Sequence, residues 1–216
     1  MPTFGFSAYL KLLSLNEKPR GTAIRGRVAG GKGGYDFHRS MKRGASRFLG
    51  EEASLDEILQ SLTSIKRAPE RSSASQALKR LATWRAANPG ELMTFKPATY
   101  AHASGLFKVT FTPDFGIRLG RTSTAVHIWN TAQPAINART VYSALSLFPE
   151  LYDEGNAPDD FALLSLREPK LYRLSEAGRY ASLGESAAEN VAEGFRKAIE
   201  DAGRKEDPDQ PIAPHG

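Results

Sequence analysis

The chain has 216 residues, 40% of them hydrophobic, and a net charge of +5. It has no cysteine, which excludes a disulfide framework, a thiolate nucleophile, an iron–sulfur cluster and a cysteine-bound zinc, and fits a reducing, cytoplasmic location. The composition is globular, and no stretch reaches the roughly 18 apolar residues of a membrane span, so no membrane partner is expected.

Residues 6–15, FSAYLKLLSL, predict a short helix that ends before Pro19. This apolar opening lacks a basic leader and Lys11 interrupts it, so it reads as a first core element rather than a signal peptide. Residues 20–34 are rich in Gly and Arg and predict a loop. From Asp36 to Leu49 the pattern is helical. Phe37, Met41, Ala45 and Phe48 share one face, while Arg39, Arg43 and Arg47 form a second stripe flanked by Lys42. Asp36 is the expected N-cap, and Gly44 weakens the helix by about 1 kcal/mol relative to alanine.

SLDEILQSLTSI, residues 54–65, predicts a helix opened by a Ser54/Glu57 capping box, with Leu55, Ile58, Leu59 and Leu62 inward. A third helix spans about 73–87 and buries Ala74, Ala77, Leu78, Leu81 and Trp84, with Asn88-Pro89-Gly90 stopping it. Beyond it, period-two alternation predicts strands at about 106–112, 115–119 and 124–130, forming a meander. On the last, His127 and Trp129 point to one face and Val126, Ile128 and Asn130 to the other.

INARTVYSALSLF, residues 136–148, predicts a helix with Ile136, Val141, Leu145 and Phe148 inward. DDFALLSLREPKLYRLS reads as one strand, or two about the Glu168–Pro169 turn. The last helix is expected over 183–202, with a Ser182/Glu185 capping box and Leu183, Ala187, Val191, Phe195 and Ile199 inward.

Helices first and strands second is an α+β order: a helical N-terminal half packed with a small antiparallel β-meander in the second half, and a C-terminal helix. One domain is expected over 1–202, mainly helical and basic over 1–90 and sheet plus helices over 91–202. Residues 203–216, charged and Pro-rich, are expected to be disordered. No repeat is visible at solenoid periods.

Charge is polarised along the chain. Residues 1–50 carry ten Lys/Arg against two Asp/Glu, and residues 151–216 carry eight against fourteen. A basic end points to a polyanion or an acidic protein surface, unless the two ends fold together and neutralise each other.

The stretch AGGKGGYDFHRSMKR raises the question of a phosphate loop. A Walker loop needs Ser or Thr after its lysine and a buried strand before the glycines. Lys32 is followed by Gly33 and no such strand precedes, so no nucleotide cofactor is expected. A loop that exposes helix amides to an anion remains, with Lys32, His38 and Arg39 in reach.

The basic helix is the strongest functional element. Arg39, Lys42, Arg43 and Arg47, with Arg25, Arg27 and Lys32 ahead, suit a DNA or RNA phosphate backbone. Tyr35 and Phe37 could stack a base, although Phe37 belongs to the apolar stripe. No zinc finger, RRM core motif or KH loop accompanies them, so binding is expected to be sequence-tolerant.

Two weaker constellations remain. Asp114, Arg118 and His127 fall on or beside neighbouring strands, and a His–Asp pair serves acid–base catalysis. With no nucleophile of known spacing beside it, the simpler reading is a histidine on a half-exposed sheet face. Asp159, Glu168 and Lys170 spell a formal PD…ExK pattern, but the acids are nine residues apart across one apparent strand, which argues for coincidence. The four histidines, at 38, 102, 127 and 215, show no ligand spacing, so no metal is expected.

The leading expectation is therefore a basic cytoplasmic module that binds nucleic acid or a nucleic-acid-containing assembly. The alternatives are an enzyme acting on a phosphorylated or nucleic-acid substrate with His127 and Asp114 near the anion loop, and an interaction subunit with an acidic protein partner.

Overall fold

The structure is a computed structural model, and it describes residues 1–31, 36–153 and 155–206. It is α+β, with helices leading and strands following. Strand β1 (Thr3–Gly5) runs into helix α1 (Phe6–Ser14). Then come α2 (Glu17–Val28), α3 (Arg39–Leu49), α4 (Leu55–Ser61) and α5 (Ala68–Ala87). Strands β2 (Leu92–Met93), β3 (Ala98–Ala101), β4 (Lys108–Phe111), β5 (Phe115–Leu119) and β6 (Thr122–Trp129) precede α6 (Ala138–Leu145). Strands β7 (Asp160–Ser165) and β8 (Lys170–Arg173) and helix α7 (Gly184–Glu206) complete the order.

The three expected strands form, but they are divided between two sheets. β4 lies between β1 and β3 in a three-stranded sheet, parallel to β1 and antiparallel to β3. β5 and β6 make an antiparallel hairpin inside a five-stranded sheet of order β2-β5-β6-β7-β8. β6 and β7 run parallel, joined by a crossover through α6, and β7–β8 form the second hairpin about the Glu168–Pro169 turn. The chain changes sheet at Thr112–Pro113–Asp114, where proline cannot donate to a ladder.

β6 is the middle strand of the larger sheet, and each of its faces meets a hydrophobic core. Val126 and Ile128 point into a core with Met41, Ala45, Ile58, Leu78, Leu81 and Trp84 from α3, α4 and α5. Ala125 and Trp129 point into the other, with residues of α1, α2, α6, α7 and the small sheet. The expected alternation holds, but the expected half-exposed face does not: His127 is 3% exposed, because helices or strands cover both sides.

Local chemistry explains several boundaries. Ser54 and Glu57 make the capping box at α4, and Asn137 caps α6 by accepting from the Thr140 amide at 2.9 Å. α5 begins at Ala68, earlier than expected, since Pro69 is tolerated in a first turn. α3 begins at Arg39, not beside Asp36. His38 stands at its N-cap without a capping side-chain bond, and Asp36 accepts from the His38 amide at 3.1 Å. Ser182 belongs to a 3-10 turn and donates to the Arg179 carbonyl. Glu185 accepts from the Tyr100 hydroxyl instead of closing a box. Ile199, expected inward, is 47% exposed. α7 continues to Glu206, past the expected start of the tail, and 207–216 lie outside the described residues.

The largest departure is α2, which replaces most of the expected 20–34 loop. Its sequence, EKPRGTAIRGRV, has two glycines and only Ile24 buried, so propensity and periodicity speak against it. Tertiary docking decides: α2 lies along α7, and Gly194 there leaves room for Ile24, whose Cδ1 lies 2.7 Å from where a Cβ would stand.

Gly44 is likewise a packing residue. A Cβ there meets Leu78 Cδ1 at 2.9 Å and Ile58 Cγ2 at 3.0 Å, both side chains fully buried. The glycine lets α3 approach α4 and α5, which more than offsets its helix penalty. Gly44→Val is expected to lower stability by about 2 kcal/mol or more through overpacking, read as a reduced urea midpoint with an unchanged slope.

Candidate functional site

The site is built where β6 ends beside the first turns of α1 and α3. Asp114, just before β5, accepts at Oδ2 from the Ile128 amide at 2.7 Å, and its own amide donates to the Val126 carbonyl at 2.8 Å. The carboxylate is thereby fixed at the end of the hairpin ladder. His127 Nδ1 lies 3.1 Å from the Thr112 carbonyl oxygen and 3.2 Å from Asp114 Oδ2. Both partners only accept, so Nδ1 carries the proton and Nε2 carries the lone pair. Ser7 Oγ is 2.7 Å from Nε2, so its hydroxyl donates. Serine, imidazole and carboxylate stand in the hydrogen-bonded order of a nucleophile, its base and the group that orients the base.

Cations border this chain. Lys42 Nζ is 3.1 Å from Asp114 Oδ1. Burial, with the Lys42 charge adding, lowers the His127 imidazole to about 4, against the opposing pull of Asp114 and the Thr112 carbonyl. His38, one turn before Lys42 on α3, has its Nε2 3.3 Å from Thr131 Oγ1. Its pKa is also lowered, by burial first and then by Lys11 and Lys42, while Asp36 and Glu70 oppose. Buried Glu70 accepts from Ser40 Oγ at 2.8 Å, and buried Asn130 donates to Ser73 Oγ at 3.2 Å.

The predicted residues thus part into separate places. His127 and Asp114 meet, and His38 and Lys42 border them. Arg118 does not join: it is on the outer half of β5, with Nε 3.2 Å from Glu91 Oε2. Arg39 and Arg43 are exposed and Arg47 half-buried, and none of the three side chains has a hydrogen bond or ion pair with another described residue. Arg43 and Arg47 line a groove between α3 and α4 with Ser40, Ser61 and Ser64. Arg25 and Arg27 are on α2. Arg25 lines a groove of mixed charge against α7, with Glu17, Glu193, Lys197 and Asp201, and the Arg27 guanidinium lies over Phe4 at 4.5 Å. The folding-together of the two chain ends therefore takes in α2 but not α3.

Lys32 and Tyr35 lie outside the described residues. Phe37 is half-buried ahead of α3, its ring against that of His38. Asp159 and Glu168 sit beyond opposite ends of β7, and Asp159 accepts from the Ser123 amide and hydroxyl at 2.7 Å each, so the formal nuclease pattern has no common site. Among the described residues, no three His, Asp or Glu side chains are grouped to hold a metal ion, and no helix is long and apolar enough to cross a membrane. Ser7 escaped the sequence, since nothing in an apolar opening segment ties it to a histidine 120 residues on.

No protein-family model matches the chain, and no curated protein matches it. A crystal structure of the protein SSO0001 shares 12% identity with it at a TM-score of 0.30, over 78% of this chain and 83% of that one. A likeness that low carries no argument.

The buried imidazole has a consequence for stability. The unfolded ring takes up a proton near pH 6.5 and the folded one near 4, so its contribution is full above pH 6.5 and lost as pH falls to 4. The loss is about 3 kcal/mol by linkage. Urea midpoints are expected to fall over that window in the native chain. His127→Gln is expected to remove most of the slope, leaving a residue from half-buried His38, which shifts in the same direction.

Proposed function

We propose that this protein binds the phosphate backbone of nucleic acid through the outer face of α3, tolerant of base sequence. The observation that carries the reading is the trio Arg39, Arg43 and Arg47. They recur every four residues, about 6 Å apart along the axis, and their side chains make no hydrogen bond or ion pair with a described residue. Several other arginines are engaged: Arg173 with Asp160, Arg80 with the Leu166 carbonyl, Arg85 with two loop carbonyls. Glu57 lies close enough for Arg47 to lower its pKa, yet it is spoken for by Ser54.

Guanidinium forks match phosphate oxygens in pairs, and the serine hydroxyls of the α3–α4 groove add neutral donors. Buried Met41, Gly44, Ala45 and Leu49 fix the opposite face, so the cations are presented on a rigid element. Arg25 and Arg27 leave the reading, as do Lys42 and His38, which face the polar site. A cysteine-free chain suits the reducing cytoplasm in which such a module works.

Fluorescence anisotropy with single-stranded and duplex oligonucleotides tests this. The logarithm of affinity is expected to fall linearly with the logarithm of salt. Arg39→Ala/Arg43→Ala/Arg47→Ala is expected to shrink that slope by about 2–3. An unchanged slope in the triple variant would reject the reading, as would equal affinity for poly-glutamate of the same charge, which would indicate an acidic protein partner.

A further inference from the structure

A polarised serine beside a neutral imidazole does something that a phosphate-binding helix does not require. Ser7 and Ala8 are half-buried, so the serine is partly open to solvent while its base, His127, lies beneath it in the core. Ser7 stands in the first turn of α1, directly after β1. Amides of a first turn have no intrahelical acceptor, and Gly5 supplies no capping side chain. The Ala8 amide, next after the serine, belongs to that first turn and is the candidate donor to an oxyanion.

We propose that Ser7 is the nucleophile of an acyl-transfer site that hydrolyses anionic carboxylic esters, with His127 as general base and Asp114 as the positioning group. Ser7 Oγ bonds to the ester carbonyl carbon and its proton passes to His127 Nε2. The carbon–oxygen bond to the alcohol breaks, and the alcohol leaves with that proton. Water then attacks the acyl-serine, giving one proton to Nε2. Collapse releases the carboxylic acid, and Ser7 Oγ recovers the proton.

The charge of the substrate follows from Lys11 and Lys42. Lys11 is one turn beyond Ser7 on the same side of α1, about 6 Å along the axis. It acts on His38 together with Lys42. A carboxylate or phosphate one turn from the reacting carbonyl meets both ammonium groups. By drawing Lys42 off Asp114 it also removes the field that weakens His127 as a base, while the Asp114 carboxylate stays on Nδ1. A base of low pKa otherwise favours good leaving groups, which makes aryl esters the probe.

The full chain is treated with a fluorophosphonate and digested for mass spectrometry. Ser7 is expected to carry the adduct, Ser7→Ala none, and His127→Gln a labelling rate at least about 100-fold lower with a cooperative melting transition retained. If His127→Gln does not fold, Asp114→Asn replaces it, with labelling slowed by about 10-fold or more. Para-nitrophenyl hemiglutarate is expected to be cleaved faster than the acetate, and Lys11→Ala to remove that preference by raising KM more than it lowers kcat. Folded protein without an adduct on Ser7, or labelling that survives in the base variants, would overturn the assignment. The arginine triple variant keeps full labelling, so the ester site and the phosphate-binding face fail or stand independently.

Discussion

β6 is the middle strand of five and from Thr124 onward meets a hydrophobic core on each side, so the polar side chains there have no water to turn to. A buried donor or acceptor left without a partner costs about 1–3 kcal/mol, and a buried charge left alone costs more. The surroundings of the strand answer to that constraint. His127 takes a carbonyl, a carboxylate and a hydroxyl; Asn130 takes Ser73; Asp114 takes a lysine, a backbone amide and the imidazole. Of the strand's described, fully buried side-chain polar atoms, the Thr124 hydroxyl lacks a partner. The connection that changes sheets, the first turn of α1 and the outer turn of α3 are all held where these polar groups need them.

How much of this was readable depended on whether a segment's pattern or its neighbours decide its form. β5 is legible to the residue, because alternation and turn residues agree. The buried face of α5 is legible because Ala74, Ala77, Leu78, Leu81 and Trp84 follow one helical stripe. α2 is not, since its glycines and charges describe a loop until α7 gives Ile24 a seat. β1 has three residues and one apolar side chain, too short for any period, and it exists because β4 offers a parallel edge. The division of the strands between two sheets hangs on long-range pairing that local alternation does not encode. Ile199 continues the α7 stripe by spacing, but the buried face runs through Ala198 instead.

The site shows the same division. His127 and Asp114 could be read as neighbours because a hairpin joins them. Ser7 reaches them only through the parallel pairing of β1 with β4, which carries the start of α1 across the strand connection. The charge map is altered by folding too. The basic N-terminal segment is cut in two, α2 lying against an acidic helix and α3 facing outward. A sequence-wide excess of Lys and Arg becomes one short, oriented cationic surface.

One atom links the architecture to the chemistry. Asp114 Oδ2 accepts the Ile128 amide, which closes the β5–β6 ladder, and it also faces the proton on His127 Nδ1. The hairpin cannot fray at that end without loosening the imidazole, and the imidazole cannot swing without unfastening the strand. The Ile128 amide proton is therefore a natural gauge: its exchange with deuterium keeps time with the opening of the whole polar chain, and anything that seats against Ser7 and steadies His127 slows that clock from the far side of the ring.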